Sequence, residues 1–133
     1  MNMVTSNITA VFKSDINKVW ETVTEVEKYT WRSDLSRTEI LSKNRFVEYT
    51  KSGYPTTFTT TVINPYERWE FDMENSNIKG HWVGIFTKKG NETEVSFTEE
   101  VTAKKFFMKP FLKSFLKKQQ LKFISDLKNA LLK

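Results

Sequence analysis

Glu99 is the position whose surroundings most invite chemistry. It shares the two-residue parity of Val95, Phe97 and Val101, so a strand over Thr93 to Thr102 turns its carboxylate to the side where apolar groups gather. A carboxylate so placed needs a partner. It serves as an anchor for a ligand's polar head or as a general base with a raised pKa. The plainer accounts, which we prefer, are a bulge or fraying near residue 99, or a pairing with a lysine of a covering helix. His81, the single histidine, alternates out of phase with Trp82. With Trp82 inside, His81 lies on the opposite sheet face as a solvated or hydrogen-bonded residue; with the parity reversed it is the one near-neutral acid/base of the interior. Glu99 and His81 are therefore the catalytic candidates, with Tyr49 and Asp34 as further groups able to move a proton. In "TWRSDLSR", residues 30–37, Arg32, Asp34 and Arg37 share a loop. An arginine there suits a carboxylate or phosphate head, and a surface Arg–Asp pair is the commoner outcome. The acidic run Glu67, Glu70, Asp72 and Glu74 has no metal-ligand geometry and reads as a solvated strand face.

Several classes fall away on composition. With no cysteine and one histidine, the chain has no means to build disulfides, thiolate nucleophiles or zinc ribbons, and most transition-metal sites are excluded. No metal and no cofactor are expected. The 133 residues fit a single domain over 1–133. Eleven Phe, four Trp and four Tyr supply ample area for a core or a lined cavity. The first residues lack the pattern of a signal peptide, and no run approaches the roughly twenty apolar residues of a membrane span, so a cytoplasmic protein is expected.

The candidate groups need elements to position them. Ile8, Ala10 and Phe12 alternate with Asn7, Thr9 and Val11, which predicts a first strand. Ser14 or Asp15 caps a helix whose Ile16, Val19, Trp20 and Val23 recur at one-sided spacing. A second helical turn is predicted over Glu25 to Tyr29. From residue 36 the pattern changes to runs rich in β-branched and aromatic residues: Arg37–Leu41, Arg45–Thr50, Thr56–Ile63, Glu67–Met73, Ile78–Thr87 and Thr93–Thr102. The breaks SKNR, KSG, INP, ENSN and KKGN are short, so neighbouring runs pair antiparallel in a meander. Trp69, Phe71 and Met73 oppose Glu70, Asp72 and Glu74, so one face is wet and the other must be covered.

The cover is the C-terminal segment. Pro110 suits a first helical turn, which predicts a helix from Lys109 to Leu132. Leu112, Phe115, Leu116, Phe123, Leu127 and Leu131 form its stripe, widened by Phe111, Leu121, Ile124 and Leu132. The net charge of +5 is concentrated here: residues 104–133 hold nine lysines against Asp126 alone, whereas residues 1–103 hold twelve Lys and Arg against fifteen acids. Such a block marks an anionic partner or the solvated face of a helix seated on an acidic body. We prefer the second, because a helix that left the sheet would uncover its apolar face at roughly 25 cal/mol per Å². No nucleic-acid partner is expected, and peripheral contact with an anionic membrane is left open.

"SDINKVWETVTEVEKYTW", residues 14–31, resembles the opening of the START-like (SRPBCC) helix-grip superfamily, in which a helix bearing Val-Trp leads into a loop with a second Trp. "GHWVGIFTKKGNETEVSFTEEVTAK", residues 80–104, is similar to that superfamily's penultimate hairpin, where a Gly-x-Trp strand turns back into a Thr-rich strand ending in acids. The resemblance spans essentially the whole chain and is nearest to the polyketide cyclase/dehydrase-like group. It implies an α+β fold: six to seven curved antiparallel strands wrapped around a long C-terminal helix, with two short helices after the first strand. It also implies a pocket between sheet and helix for an apolar or amphipathic small molecule. No fixed catalytic set comes with it, since members bind lipids, hormones or polyketides and a minority catalyse reactions.

Parity then assigns the pocket wall: Phe46 or Tyr49, Phe58, Trp69, Phe71, Trp82, Phe86 and Phe97 from the strands, with Glu99 among them. Phe111 and Phe115 join from the helix, and Trp31 stands at the mouth. For most of these, core packing is the first role. Gly80 and Gly84, on either side of Trp82, would let the sheet bend or a ligand approach. The expected function is binding or transport of a lipid- or polyketide-like molecule by a monomer or weak homodimer. The alternative is an enzyme of the cyclase, dehydratase or hydrolase type acting on such a ligand.

Overall fold

Two-residue alternation in β1 (Met3–Phe12) turns Ser6, Ile8, Ala10 and Phe12 to one face, and Asn7, Thr9 and Val11 to solvent. A computed structural model describes residues 3–133. Helix α1 (Ile16–Thr24) starts at Asp15, whose carboxylate accepts from the Lys18 amide at 2.9 Å, and it buries Val19, Trp20 and Val23. The second helix predicted over Glu25 to Tyr29 does not form. Isolated turns replace it, closed by Lys28 N donating to Glu25 O at 3.0 Å and Arg32 N to Tyr29 O at 2.8 Å. The helical ladder ends with Glu25 N donating to Glu21 O, because Glu25 leaves the helical region at ψ 76° and Val26 N turns back to Thr24 O at 2.9 Å.

Six further strands follow: β2 (Leu35–Ser42), β3 (Arg45–Thr50), β4 (Pro55–Asn64), β5 (Arg68–Glu74), β6 (Ile78–Lys89) and β7 (Glu92–Ala103). They form the expected meander, and β1 closes it by pairing with β7, giving one antiparallel sheet in the order β1-β7-β6-β5-β4-β3-β2. Register shifts at Leu35/Arg37, Ile40/Ser42 and Thr60/Val62 confine the irregularities to the β2–β4 side. Extra residues there bend the strands and steepen their twist, which curls the sheet. Its concave face carries Phe46, Phe58, Trp69, Phe71, Trp82, Phe86, Val95, Phe97 and Val101, all buried.

Helix α2 (Lys109–Leu131), led by a 3-10 turn over Phe106–Met108, lies across that face. It presents Leu112, Leu116, Gln120, Leu127 and Leu131, all buried, and the half-buried Phe123. The stripe is narrower than its apolar content predicts. Phe111, Leu121 and Leu132 are 70%, 56% and 79% exposed. Each lies on the far side of a helix that turns about 100° per residue. Phe115 is 51% exposed and stands at the edge between the two faces.

Candidate functional site

The floor of the site is two rows of side chains running across the strands. Register places Ser6, Glu99, Trp82 and Phe71 side by side on β1, β7, β6 and β5, and Ile8, Phe97, Gly84 and Trp69 beside them. A Cβ on Gly84 would overlap the Trp82 indole, so the glycine is there to let that ring lie along its own strand. Gly80 likewise lets β7 approach, since a Cβ there would sit 2.7 Å from Glu100 O. Phe71 and Trp82 stack at 4.6 Å between centroids, Trp82 meets Phe97 at 4.9 Å, Phe97 meets Phe123 of α2 at 5.6 Å, and Phe123 meets Trp31 at 5.3 Å. This aromatic chain runs from sheet to helix to loop. It does not fill the space it encloses: a cavity of about 230 Å³ remains between sheet, α2 and the α1–β2 loop.

Glu99 lines that cavity and is only 9% exposed. The pairing of β7 with β1 and with β6 is unbroken through residue 99, so there is no bulge or fraying to excuse it. Nor does a lysine pair with it; Lys117 donates to Asn7 O at 2.6 Å instead. The partner is Gln120, whose amide nitrogen donates to Glu99 Oε2 at 3.5 Å, to Ser6 O at 3.1 Å and to Phe97 O at 3.5 Å. Its carbonyl accepts from Ser6 Oγ at 2.7 Å. Burial pushes the Glu99 carboxyl up to about 7, against the weaker pull of Gln120 and of the Lys117 charge.

At the mouth, Arg32 makes a forked contact with Asp34, two bonds of 3.1 Å, and reaches Glu48 at 3.3 and 3.5 Å. The guanidinium lies 4.8 Å from the Phe123 centroid and 5.8 Å from that of Trp31. The Arg–Asp pair thus forms as expected, but its arginine side chain is 15% exposed and shared with an inward-facing Glu48. Burial disfavours the Arg32 charge; Glu48 and Asp34 outweigh it and raise the pKa. With two acids around it, Arg32 is already saturated, and the cluster carries one net negative charge.

No family model matches this sequence, and no curated protein does. Solved structures are more informative. A START superfamily protein from Mycobacterium smegmatis superposes with a TM-score of 0.83 at 15% identity, covering 96% of each chain. A conserved protein from Geobacillus kaustophilus gives 0.84 at 12% identity, covering 97% of this chain and 95% of its own. The Zhui aromatase/cyclase from a Streptomyces species gives 0.83 at 11% identity over 97% and 93%. The chain has the START-like helix-grip fold. At such identities the likeness is one of architecture, and function must come from the site.

Within this START-like frame the strand candidates Phe58, Trp69, Phe71, Trp82, Phe97 and Glu99 reach the cavity together with Trp31, and Phe115 joins at its rim. Four candidates do not. Phe86 is buried against Trp20, their ring centroids 4.9 Å apart, and does not line the cavity. Tyr49 lies on the outer face, where its hydroxyl donates to Glu39 at 2.8 Å and Arg37 stands 3.7 Å from its ring centre; Phe46, of opposite parity, points in. Phe111 faces solvent. His81 is on the convex face, its Nδ1 2.7 Å from Asp72 and its Nε2 2.8 Å from Glu70, which removes it from any chemistry in the cavity. Burial opposes its charge, but the two carboxylates raise its pKa. Gln120, Ser6 and Glu48 went unread. Position could have found the first two: Gln120 stands between Leu116 and Phe123 on the inward stripe, and Ser6 has the parity of Ile8.

Proposed function

We propose that this START-like chain binds a small apolar molecule bearing one neutral polar end, seated in the cavity between sheet and α2. The observation that carries the reading is the pairing of an unfilled, aromatic-walled space of about 230 Å³ with a single buried carboxylate on its floor. Ligand sites are mostly apolar concavities with few polar groups, in the range of roughly 300–1,000 Å³, so this one suits a small ligand. Near neutrality Glu99 is partly protonated and both donates to a carbonyl and accepts from a hydroxyl. An acidic ligand is disfavoured twice, by Glu99 above neutral pH and by the negative mouth cluster. Lipid- and polyketide-like molecules with hydroxyl or keto ends meet these conditions.

The test is titration with a neutral naphthylamine probe, read by probe fluorescence and by quenching of Trp31, Trp69 and Trp82, which all line the cavity. Saturable binding is expected, and Val26→Trp, which fills the cavity from the loop, should abolish it without lowering the melting temperature. Native mass spectrometry of protein from its host identifies the resident molecule. Probe binding that survives Val26→Trp unchanged would overturn the reading. A second reading, proton transfer on the bound molecule, is favoured by one observation: a carboxyl with a pKa of about 7 faces the cavity. Under it, Glu99→Gln retains probe affinity and loses turnover of the molecule found by mass spectrometry.

A further inference from the structure

The segment that covers the sheet also carries apolar side chains that cover nothing. Phe106, Phe107, Phe111 and Phe115 are 79%, 61%, 70% and 51% exposed. Phe107, Phe111 and Phe115 follow at four-residue steps and stand on one side of the helix, and the Phe106 and Phe107 rings lie 6.2 Å apart. Scattered exposed apolar residues are ordinary; four on one continuous strip mark a surface that meets a partner. Beyond Phe115 the strip continues into Lys118 and Lys122, both exposed. Lys104 is held by Glu74, Lys105 by Asn77 and Lys117 by the Asn7 carbonyl. By contrast, Lys109, Lys113, Lys118, Lys122 and Lys128 form no ion pair among the described residues. Asp126, the one acid of residues 104–133, is turned onto Ser33.

We infer that this strip docks on an anionic lipid bilayer, its phenyl rings entering the boundary between headgroups and acyl chains and its lysines meeting anionic headgroups. Charge decides among partners. A second copy would bring a segment of nine lysines and one acid against an identical one, which repels. Nucleic acid would satisfy the lysines but leave the rings in water. A bilayer satisfies both, and one apolar anchor together with a basic patch is the combination that makes peripheral binding stable. No helix among the described residues is long and apolar enough to cross a membrane, so the contact is a surface one. Phe115 also lines the cavity, so docking sets the mouth against the lipid. That consequence rests on the proposed ligand binding; the docking does not.

Flotation of the full chain with phosphatidylcholine vesicles, with and without phosphatidylserine, tests the inference. Binding is expected only with phosphatidylserine and is lost at molar salt. Phe107→Ser with Phe111→Ser should lower the partition coefficient by about tenfold or more. Lys118→Gln with Lys122→Gln should lower it by about fivefold per lysine. All four positions are exposed, and thermal melting confirms that the variants fold. Val26→Trp must still float, which separates a failure of docking from a failure of the cavity. Equal binding to neutral vesicles, no binding to either, or an unaltered phenylalanine variant overturns the inference. So does a salt-sensitive complex with duplex RNA in the absence of vesicle binding, or a stable dimer that the phenylalanine variant dissociates.

Discussion

Glu99 has Ser6 on one neighbouring strand, Trp82 on the other and Gln120 above it, and none of these carries a charge. Burial therefore dominates and lifts its carboxyl from the usual 4.5 to about 7. Between those values the folded chain keeps a proton that the unfolded chain has released, so stability falls as pH rises through that window and stays lowered above it. At about 1.4 kcal/mol per unit, the ceiling on this loss is about 3 kcal/mol. The neutral isostere Glu99→Gln keeps a hydrogen-bonding group for Gln120 and has no charge to desolvate. Urea unfolding should show it gaining up to about 3 kcal/mol over wild type near about pH 8, and much less near about pH 5. His81 makes the comparison with wild type necessary. Burial opposes its charge, but Asp72 and Glu70 hold its pKa above 6.5, so its contribution is full below that value and also fades as pH rises. Glu99→Gln leaves that cluster untouched, and subtraction removes it. Parallel pH profiles for the two proteins would show that Glu99 ionises at no cost.

At the scale of elements, α2 separates two residues that composition treats alike. Leu127 is fully buried against the sheet, whereas Phe111 is 70% exposed. Leu127→Ala should cost about 2–5 kcal/mol in urea unfolding, from lost burial and the cavity left behind. Phe111→Ala should stay within about 0.5 kcal/mol of wild type. A large loss at Phe111 would mean that the helix is rotated on the sheet. The strands were legible because their period is strict: the parity of Trp69, Phe71 and Phe97 assigned their face, and the structure agrees; between Trp82 and His81 the choice came only from the structure, which buries Trp82. The helix was legible only in outline. Residues 106–123 are apolar on two sides, and apolar identity does not say which side meets the sheet; the central Gln120, polar yet 5% exposed, marks the inward line. Tyr49 was one parity step from Phe46, and neither composition nor spacing chose between them. The Arg32–Glu48 contact joins residues 16 apart through the sheet's curl, a tertiary fact with no local signature.

Across the whole molecule, the grip is firm at one end and light at the other. The C-terminal half of α2 buries Leu127 and Leu131, and Asp126 accepts from the Ser33 amide at 2.8 Å and its hydroxyl at 2.9 Å. Lys18 Nζ donates to the carbonyls of Leu131 and Lys133, each at 3.1 Å, which ties the helix end to α1. The other end is held at its edges by lysines, Lys105 on Asn77 and Lys117 on the Asn7 carbonyl, with little buried between them. Neither the 3-10 turn nor α2 starts with a side-chain cap, and among residues 106–115 only Leu112 is buried. Uncapped turns with little buried apolar area open at low free energy. The mouth lies between the middle of α2, from Phe115 to Phe123, and the α1–β2 loop, where Arg32 meets Phe123, Asp34 and Glu48. For the proposed ligand, the expected route into the cavity is displacement of the first turns of α2 about its tied C-terminal half, with the sheet left intact. Amide hydrogen exchange should find residues 106–116 exchanging faster than 120–131 in the free protein. Saturation with the naphthylamine probe should slow exchange in residues 26–34 and 106–119, leaving β6 and β7 unchanged. Uniform protection along α2, or probe-dependent protection centred on the β6–β7 pairing, would mean that the cavity is reached through the sheet and that the helix does not gate it.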